Sequence, residues 1–242
     1  MSNDLDNLRA AFEHHIALYG PRVWATDDTL SAPAAPTVVS SYDRIAALIA
    51  PDSPLHDMKT LTEVADYVAH TTLIDLDSTR LNPVFGVGNP SADIMVIGEA
   101  PNEDEDKKGE PIVGEGGQLF TKILEAIGFK RSDVYITNIL KSKPPKNRGP
   151  LPNEITVHLP ILYKQIALIQ PKLILCVGKG SGASLLGLDS TLNDMRGIFH
   201  DYHGLPVLVT YHPDNLVEDP NWKRPTWEDV KLLRARYDDL TS

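Results

Sequence analysis

Short apolar runs that alternate with helical segments are the feature that most constrains this chain. Beyond residue 92 there are four such runs, over residues 93–97, 134–137, 173–177 and 207–210. Strands and helices alternate in this way when a parallel sheet is covered by helices on both faces. The pattern predicts an α/β fold, namely a three-layer αβα sandwich with a central four-stranded parallel sheet.

The first part of the chain has a different character. Residues 31–40 (SAPAAPTVVS) are rich in proline, alanine and serine, which is typical of a linker. We therefore predict an N-terminal helical extension over residues 1–58, with the linker at 31–40, and a second domain over residues 59–242. An acidic helical extension of this kind is suited to binding a protein partner or to self-association.

Composition excludes several classes of protein. A single cysteine in 242 residues cannot form an internal disulfide or build a four-cysteine metal or iron–sulfur site. No apolar run approaches the ~18 residues of a membrane-spanning helix, so no membrane partner is expected. The acidic, polar N-terminus does not resemble a secretory signal, and we expect a cytoplasmic protein.

The net charge of −10 argues at first against a nucleic-acid partner. The charge is unevenly distributed, however. Residues 1–80 contain 12 acidic and 5 basic side chains, whereas residues 81–242 contain 21 and 18. The predicted α/β domain is therefore close to neutral, and weak, salt-sensitive binding of DNA remains compatible with the composition.

Polar side chains follow the predicted strands at their carboxyl ends. Glu99 follows the first strand, Asn138 the second and His212 the fourth. Ligand sites of open parallel sheets lie beyond this edge. The topology therefore predicts that a carboxylate, a carboxamide and an imidazole converge on one site.

Five motifs occur in a characteristic order: GEAP, VG-x-GGQLF, YITN, KPPKNR and YHP. In this order they resemble the uracil-DNA glycosylase superfamily, and most closely the family 4 enzymes of bacteria and archaea. The resemblance implies an αβα fold, flipping of a damaged nucleotide out of DNA, and hydrolysis of its N-glycosidic bond. The expected partner is uracil-containing DNA, single- or double-stranded.

The resemblance also implies roles for individual residues. Glu99 would be a catalytic residue that orients or polarises the attacking water, and His212 a catalytic residue that donates to uracil O2. Asn138 would bind the uracil edge, since a carboxamide offers one donor and one acceptor. Ala100 and Ile112 complete the predicted base-binding set. The alternatives are an Asx cap for Asn138, a packed turn histidine, and a carboxylate satisfied by nearby backbone N–H groups.

A further set is predicted to contact the DNA backbone or to enter the duplex. It comprises Gly114, Gly116, Gly117, Lys141, Lys143, Lys146, Arg148 and Leu216. Glycines at a helix start leave N–H groups free for a phosphate, and the basic loop over residues 141–152 suits phosphate contacts. The alternatives are ordinary turn glycines, a solvated loop and a buried leucine.

The chain departs from the family pattern in four ways. The cysteines that hold an iron–sulfur cluster in the family 4 enzymes match Thr71, Ile74, Ser142 and His158, so we expect no cluster, no metal and no cofactor. Ile112 replaces a phenylalanine that stacks on uracil. Asn102 replaces a glycine, and Glu218 lies where the family usually has arginine. Two hypotheses follow: a DNA glycosylase acting on uracil or a related damaged or modified base, or a catalytically inactive module that binds DNA or protein.

Overall fold

The computed structural model describes residues 39–242. Residues 1–38 of the predicted N-terminal extension lie outside this range, and they include all but the end of the linker predicted at 31–40. No helix in the described range is both long enough and apolar enough to cross a membrane. The predicted cytoplasmic location stays a prediction.

The sheet formed by residues 39–242 has six strands and not the predicted four. They are β1 (Val87–Gly88), β2 (Ile94–Gly98), β3 (Tyr135–Asn138), β4 (Leu173–Val177), β5 (Phe199–Tyr202) and β6 (Leu205–Thr210). Their order is β1-β3-β2-β4-β6-β5. The four central strands are parallel, as predicted, whereas β1 and β5 add to the edges in antiparallel orientation. The edge strands were not predicted because β1 has only two residues and β5 (FHDY) contains no apolar run.

Nine helices connect and cover these strands within residues 39–242. They are α1 (Ser41–Ala46), α2 (Leu61–His70), α3 (Glu103–Lys108), α4 (Gly114–Ala126), α5 (Pro152–Ile169), α6 (Lys179–Leu186), α7 (Leu192–Met195), α8 (Pro213–Glu218) and α9 (Lys223–Thr241). Helix α3 is not among the elements predicted from the sequence. Its sequence, EDEDKK, contains no apolar residue, so hydrophobic periodicity could not identify it.

Two apolar layers enclose the sheet. On one face, Leu162 and Ile166 of α5 pack against Met95 and Ile174. On the other face, Phe120 and Leu124 of α4 and Val230 and Leu233 of α9 pack against Val96 and Leu175. All of these side chains are almost completely buried. The predicted three-layer α/β arrangement is therefore confirmed.

The segment between residues 41 and 58 packs onto this domain. Ile45 of α1 belongs to the apolar layer around α5, and Ile49 and Leu55 pack with Val64 and Ile161. From these contacts we infer that the boundary of the α/β domain lies before residue 41. The roles predicted for the N-terminal extension fall on residues outside the described range.

Candidate active site

A cavity of about 370 Å³ opens at the carboxyl ends of the parallel strands. Its walls include Glu99, Ala100 and Asn102 after β2, Gly178–Gly180 after β4, and His212 after β6. The basic loop contributes Arg148 to the same wall. The structure thus brings together Glu99, Ala100, Arg148 and His212 from the predicted site.

Glu99 presents a half-buried carboxylate to the cavity. A Cβ atom on Gly180 would lie 1.9 Å from Glu99 Cδ, so the carboxylate lies directly on the glycine backbone at the start of α6. Within the described part of the chain, no N–H or O–H group donates a hydrogen bond to this carboxylate. Burial raises the pKa of Glu99 above its ordinary value, and the ammonium of Lys179 opposes this shift.

His212 caps helix α8 and faces the same cavity with a partly exposed ring. Its Nδ1 atom accepts a hydrogen bond from the backbone N–H of Asp214 at 3.3 Å. Burial lowers the pKa of His212, while the negative charges of Asp214 and Glu218 oppose the shift. A neutral ring that accepts at Nδ1 carries its proton on Nε2, so His212 can donate from Nε2.

Asn102, which replaces a glycine of the family pattern, needs no unusual backbone conformation. Its φ and ψ angles of −88° and −173° are extended, and its side chain caps helix α3. Its Nδ2 also donates to Asp214 Oδ2 at 3.2 Å. Asn102 therefore links the strand end that holds Glu99 to the turn that holds His212.

Asn138, the predicted base-binding carboxamide, is not part of the cavity wall. The residue is 1% exposed at the end of β3. A Cβ atom on Gly98 would lie 2.1 Å from Asn138 Oδ1, and Nδ2 lies 3.4 Å from Glu105 Oε2. The structure therefore places Asn138 behind the wall of the cavity, in contact with Glu105.

Glu105 is a buried carboxyl group that the sequence analysis did not identify. Its Oε2 accepts from the backbone N–H of Asn102 at 2.9 Å, and its Oε1 accepts from the backbone N–H of Ile112. Burial raises the pKa of Glu105 to about 7, although these donors favour the ionised form. Asn102 and Glu105 form a capping box, a pattern that is readable in the sequence and would have predicted the helix start.

Ile112 is also buried and does not line the cavity. The residue is 2% exposed, and its side chain packs in the apolar layer with Phe120. Its φ angle of 51° is unusual for a β-branched residue. Arg131 Nη2 holds this conformation by donating to Ile112 O at 2.9 Å. This burial does not fit the predicted contact of Ile112 with a base in the cavity.

Lys141 was predicted to contact phosphates, and that prediction is wrong. The residue is completely buried. Its Nζ donates to Thr137 Oγ1 at 2.7 Å, to Asn138 O at 2.6 Å and to Gln165 Oε1 at 2.7 Å. Burial lowers the pKa of Lys141 well below its ordinary value. The three acceptors occupy the ammonium, which no DNA phosphate can reach.

The rest of the basic loop is more accessible. Lys146 is exposed and Lys143 half-buried. Arg148 donates two hydrogen bonds to the Glu154 carboxylate, at 2.6 and 2.8 Å, so its charge is partly neutralised. Lys146 is consequently the most available cation among those predicted from this loop.

Of the other residues predicted to contact DNA, one lies on the surface and three are buried. Gly114 is exposed at the start of α4, whereas Gly116 and Gly117 are buried. A Cβ atom on Gly116 would lie 1.9 Å from Asp214 Oδ1, so this glycine permits the close packing of α4 and α8. Leu216 is completely buried, which does not fit its predicted insertion into a duplex.

An acidic groove adjoins the cavity. Asp104, Glu115, Asp214 and Glu218 all line it, and Gly114 lies between them. Carboxylates at this position repel phosphates, as predicted for Glu218 from the sequence. Any DNA bound at the cavity must therefore approach mainly along the basic loop.

The residues at the positions of the family 4 cysteines do not fit an iron–sulfur cluster. Thr71, Ile74, Ser142 and His158 offer no thiolate, and such clusters are held by thiolates. The one cysteine, Cys176, is buried on β4. Across residues 39–242, no three His, Cys, Asp or Glu side chains are arranged to hold a metal ion.

Comparison with known proteins agrees with this topology and these motifs. Residues 85–231 match the family model of the uracil DNA glycosylase superfamily. A type-4 uracil-DNA glycosylase of Archaeoglobus fulgidus is 36% identical over 184 residues, 73% of this chain and 92% of the relative. The type-4 uracil-DNA glycosylase of Sulfurisphaera tokodaii is 38% identical over 186 residues, 73% of this chain and 84% of the relative.

A solved structure, wild-type SMUG2 of Pedobacter heparinus, is 11% identical and covers 76% of this chain and 99% of its own, with a TM-score of 0.40. A TM-score of this size adds nothing to the fold described above. The family assignment follows from the family model and the relatives. This chain belongs to the uracil DNA glycosylase superfamily.

Proposed function

We propose that this protein hydrolyses the N-glycosidic bond of uracil in DNA, releasing the free base and leaving an abasic site. The observation that carries the proposal is that Glu99 and His212 face one cavity at the carboxyl edge of the sheet. Family membership and the names of the type-4 relatives support the choice of uracil as the base. A base in a duplex must leave the stack to enter such a cavity, so the proposal includes base flipping.

In this reaction, the bond between C1′ of the sugar and N1 of uracil breaks, and its electron pair leaves with the base. His212 would donate from Nε2 to uracil O2, where the negative charge of the departing anion accumulates. A neutral donor held in place before the reaction stabilises such charge without reorganisation. The hydrogen bond from the Asp214 N–H to Nδ1 fixes the required tautomer.

Glu99 would accept a proton from the water that attacks C1′. Its carboxylate has no donor from the described protein and faces the cavity, so it is available to orient that water. The raised pKa of Glu99 makes the carboxylate a stronger base than a fully solvated one. Only the ionised carboxylate can accept the proton, so activity should fall as the pH drops through the pKa of Glu99.

Recognition of the base by Asn138 requires a rearrangement. The carboxamide is buried and is engaged with Glu105 across 3.4 Å, a long and therefore weak hydrogen bond. The incoming uracil would replace this bond with its own O4 and N3–H. Ala100 lies on the cavity wall and is the candidate for direct contact with the ring.

DNA would be held electrostatically along the basic loop. Lys146 and Lys143 provide the accessible charge, Arg148 reaches the cavity wall, and Gly114 offers a backbone N–H at a helix start. The acidic groove beside Gly114 limits the strength of binding. We therefore expect weak, strongly salt-dependent affinity for single- and double-stranded DNA.

The test is incubation with single- and double-stranded oligonucleotides that contain one uracil, followed by alkaline cleavage of abasic sites. Glu99→Gln and His212→Asn should each abolish most of the product. Glu125→Gln and His70→Asn, exposed on α4 and α2, make the same changes away from the cavity and should retain full activity. Undiminished activity in both cavity variants would contradict the assignment of the site.

A second candidate function is binding without catalysis. The observation that favours it is the complete burial of Asn138, which keeps the predicted base-binding amide out of the cavity wall. This hypothesis predicts no product from any base at stoichiometric protein, together with DNA or protein binding that is unchanged in Glu99→Gln. Release of uracil by the unmodified protein would exclude it.

A further inference from the structure

The four positions that match the cluster-binding cysteines of the family 4 enzymes lie around one ion pair. Arg80 Nη1 is 3.3 Å from Asp77 Oδ1. The matched positions all contact this pair and are Thr71, Ile74, Ser142 and His158. The residues do not fit a cluster, but they still enclose a single polar centre. We call Asp77, Arg80, Ser142 and His158 the Asp77 cluster.

Asp77 is the centre of these contacts. It is 5% exposed, and its Oδ2 accepts from the backbone N–H groups of Leu73 at 2.8 Å and Ile74 at 3.2 Å. Its Oδ1 accepts from the hydroxyl of Ser142 and faces Arg80. Burial raises the pKa of Asp77, but His158, the Ser142 hydroxyl and the Leu73 N–H outweigh burial and hold this pKa far below its ordinary value. A buried carboxylate is stable when it is satisfied to this degree.

His158 extends the contacts to helix α5. Its Nδ1 accepts from the backbone N–H of Lys141 at 2.8 Å, so in the neutral ring Nε2 carries the proton. Nε2 lies 3.2 Å from Asp77 Oδ1, although the angle is too bent for a regular hydrogen bond. His158 thus joins Asp77 to the residue at which the basic loop begins.

Arg80 closes the connection on the other side. Its Nη1 donates to Ser142 Oγ at 3.1 Å, and its Nη2 donates to the carbonyls of Val68 and Thr71. The Asp77 cluster therefore joins three segments that are distant in sequence: residues 68–80, the start of the basic loop and helix α5. The same loop carries Arg148 to the cavity wall, seven residues after Lys141 and six after Ser142.

We propose that the Asp77 cluster replaces the iron–sulfur cluster of the family 4 enzymes and positions the basic loop, and with it Arg148, at the cavity. Its members are positioning residues, because none lines the cavity. The effect on catalysis rests on the proposed glycosylase function. The anchoring of the loop does not, and it can be measured separately.

The first test compares Asp77→Asn with Asp75→Asn by limited trypsin digestion of the folded protein. The control makes the same substitution at an exposed site two residues away. Trypsin can cut the basic loop after Lys146 and Arg148. Cleavage there should be about tenfold faster in Asp77→Asn and unchanged in Asp75→Asn, because loop opening limits proteolysis. Equal cleavage of the loop in both variants would overturn the proposal.

Catalysis supplies a second readout. A displaced loop should raise KM for uracil-containing DNA, whereas simple loss of folded protein lowers kcat and leaves KM unchanged. An unchanged KM in Asp77→Asn would overturn the positioning role. If the unmodified protein releases no uracil, the proposed function fails, and the digestion still decides whether the Asp77 cluster anchors the loop.

Ser142→Ala provides a milder variant if Asp77→Asn does not fold. It removes one hydroxyl and keeps the Asp77–Arg80 ion pair, so the loop should again be cut faster than in the unmodified protein, but by less than tenfold.

A converse test places cysteine at all four matched positions in an Asp77→Ala background. Iron–sulfur reconstitution should then give bound iron with visible charge-transfer absorption. Failure of both variants to show these effects would overturn the proposal.

Discussion

Glu99 and Asp77 are carboxylates of the same domain, but they differ in hydrogen bonding and in the direction of their pKa shifts. Asp77 is buried and bound by two backbone N–H groups, a hydroxyl and a guanidinium, and its pKa is lowered. The Glu99 carboxylate faces a cavity, accepts no hydrogen bond from the described residues, and has a raised pKa. A satisfied carboxylate stabilises a fold, whereas an unsatisfied one in a cavity is available for chemistry.

The largest effect should come from Glu99→Gln. The amide keeps the shape but cannot accept the proton of the attacking water, so we expect a loss of about 10³-fold in the single-turnover rate of uracil release. Stability should stay the same or increase slightly, because an unsatisfied half-buried charge is removed. Urea unfolding of both proteins checks the second part. A marked loss of stability would show that Glu99 has a structural role like that of Asp77.

Asp77→Asn, in contrast to Glu99→Gln, should lower the stability of the protein. Removing the charge leaves Arg80 without its partner, and the amide NH2 must face either the backbone donors of Leu73 and Ile74 or the Arg80 guanidinium. We expect the free energy of unfolding to fall by about 3 kcal/mol, as for the loss of one member of a buried ion pair. Urea denaturation against Asp75→Asn measures this difference. Equal stability of the two variants would remove the contrast with Glu99.

The pH dependence of stability tests whether Glu105 resembles Glu99, with a raised pKa, or Asp77, with a lowered one. Because its pKa is raised to about 7, the protonated form favours folding, and this contribution is present at pH 4 and lost as the pH rises towards 7. Glu105→Gln removes the titration. Between pH 5 and pH 8 the stability of the variant relative to the unmodified protein should rise by about 2.5 kcal/mol.

A relative stability of Glu105→Gln that does not change with pH would mean that the three donors keep this carboxyl ionised. Glu105 would then be a structural carboxylate like Asp77. The comparison is made at fixed ionic strength so that screening of surface charges does not contribute.

The smallest effect should come from Lys146→Ala. An exposed lysine that contacts a phosphate contributes to affinity through counterion release, so DNA binding should weaken a few-fold and the salt slope should decrease by about 1. Lys122→Ala, exposed on α4, is the matched control. Fluorescence anisotropy at several salt concentrations makes the measurement. Identical slopes for the two variants would place the DNA elsewhere.

The sequence predicted the parallel centre of the sheet and the pair Glu99–His212 because both follow from local patterns. Four apolar runs marked the buried strands, and the residues after them necessarily lie at one edge of a parallel sheet. The edge strands β1 and β5 carry no such run, because an edge strand of two to four residues needs little apolar surface.

The errors concern residues whose environment is set by tertiary packing. Lys141 belongs to a run of basic residues, and nothing in that run distinguishes a lysine that binds Gln165 and Thr137 from one in solvent. Asn138 and Leu216 were placed correctly along the chain, but the depth at which they lie depends on α3 and α4 packing over them. Burial of polar residues is decided by partners distant in sequence, which one sequence does not display.

Quantification of free uracil and abasic sites, at stoichiometric protein on a single-stranded uracil oligonucleotide, tests the central claim most directly. The cavity formed by Glu99 and His212 predicts equimolar free base and abasic sites from the unmodified protein, and a loss of both products in Glu99→Gln and in His212→Asn. Absence of free uracil from the unmodified, folded protein would contradict the claim that this cavity performs glycosidic hydrolysis of uracil.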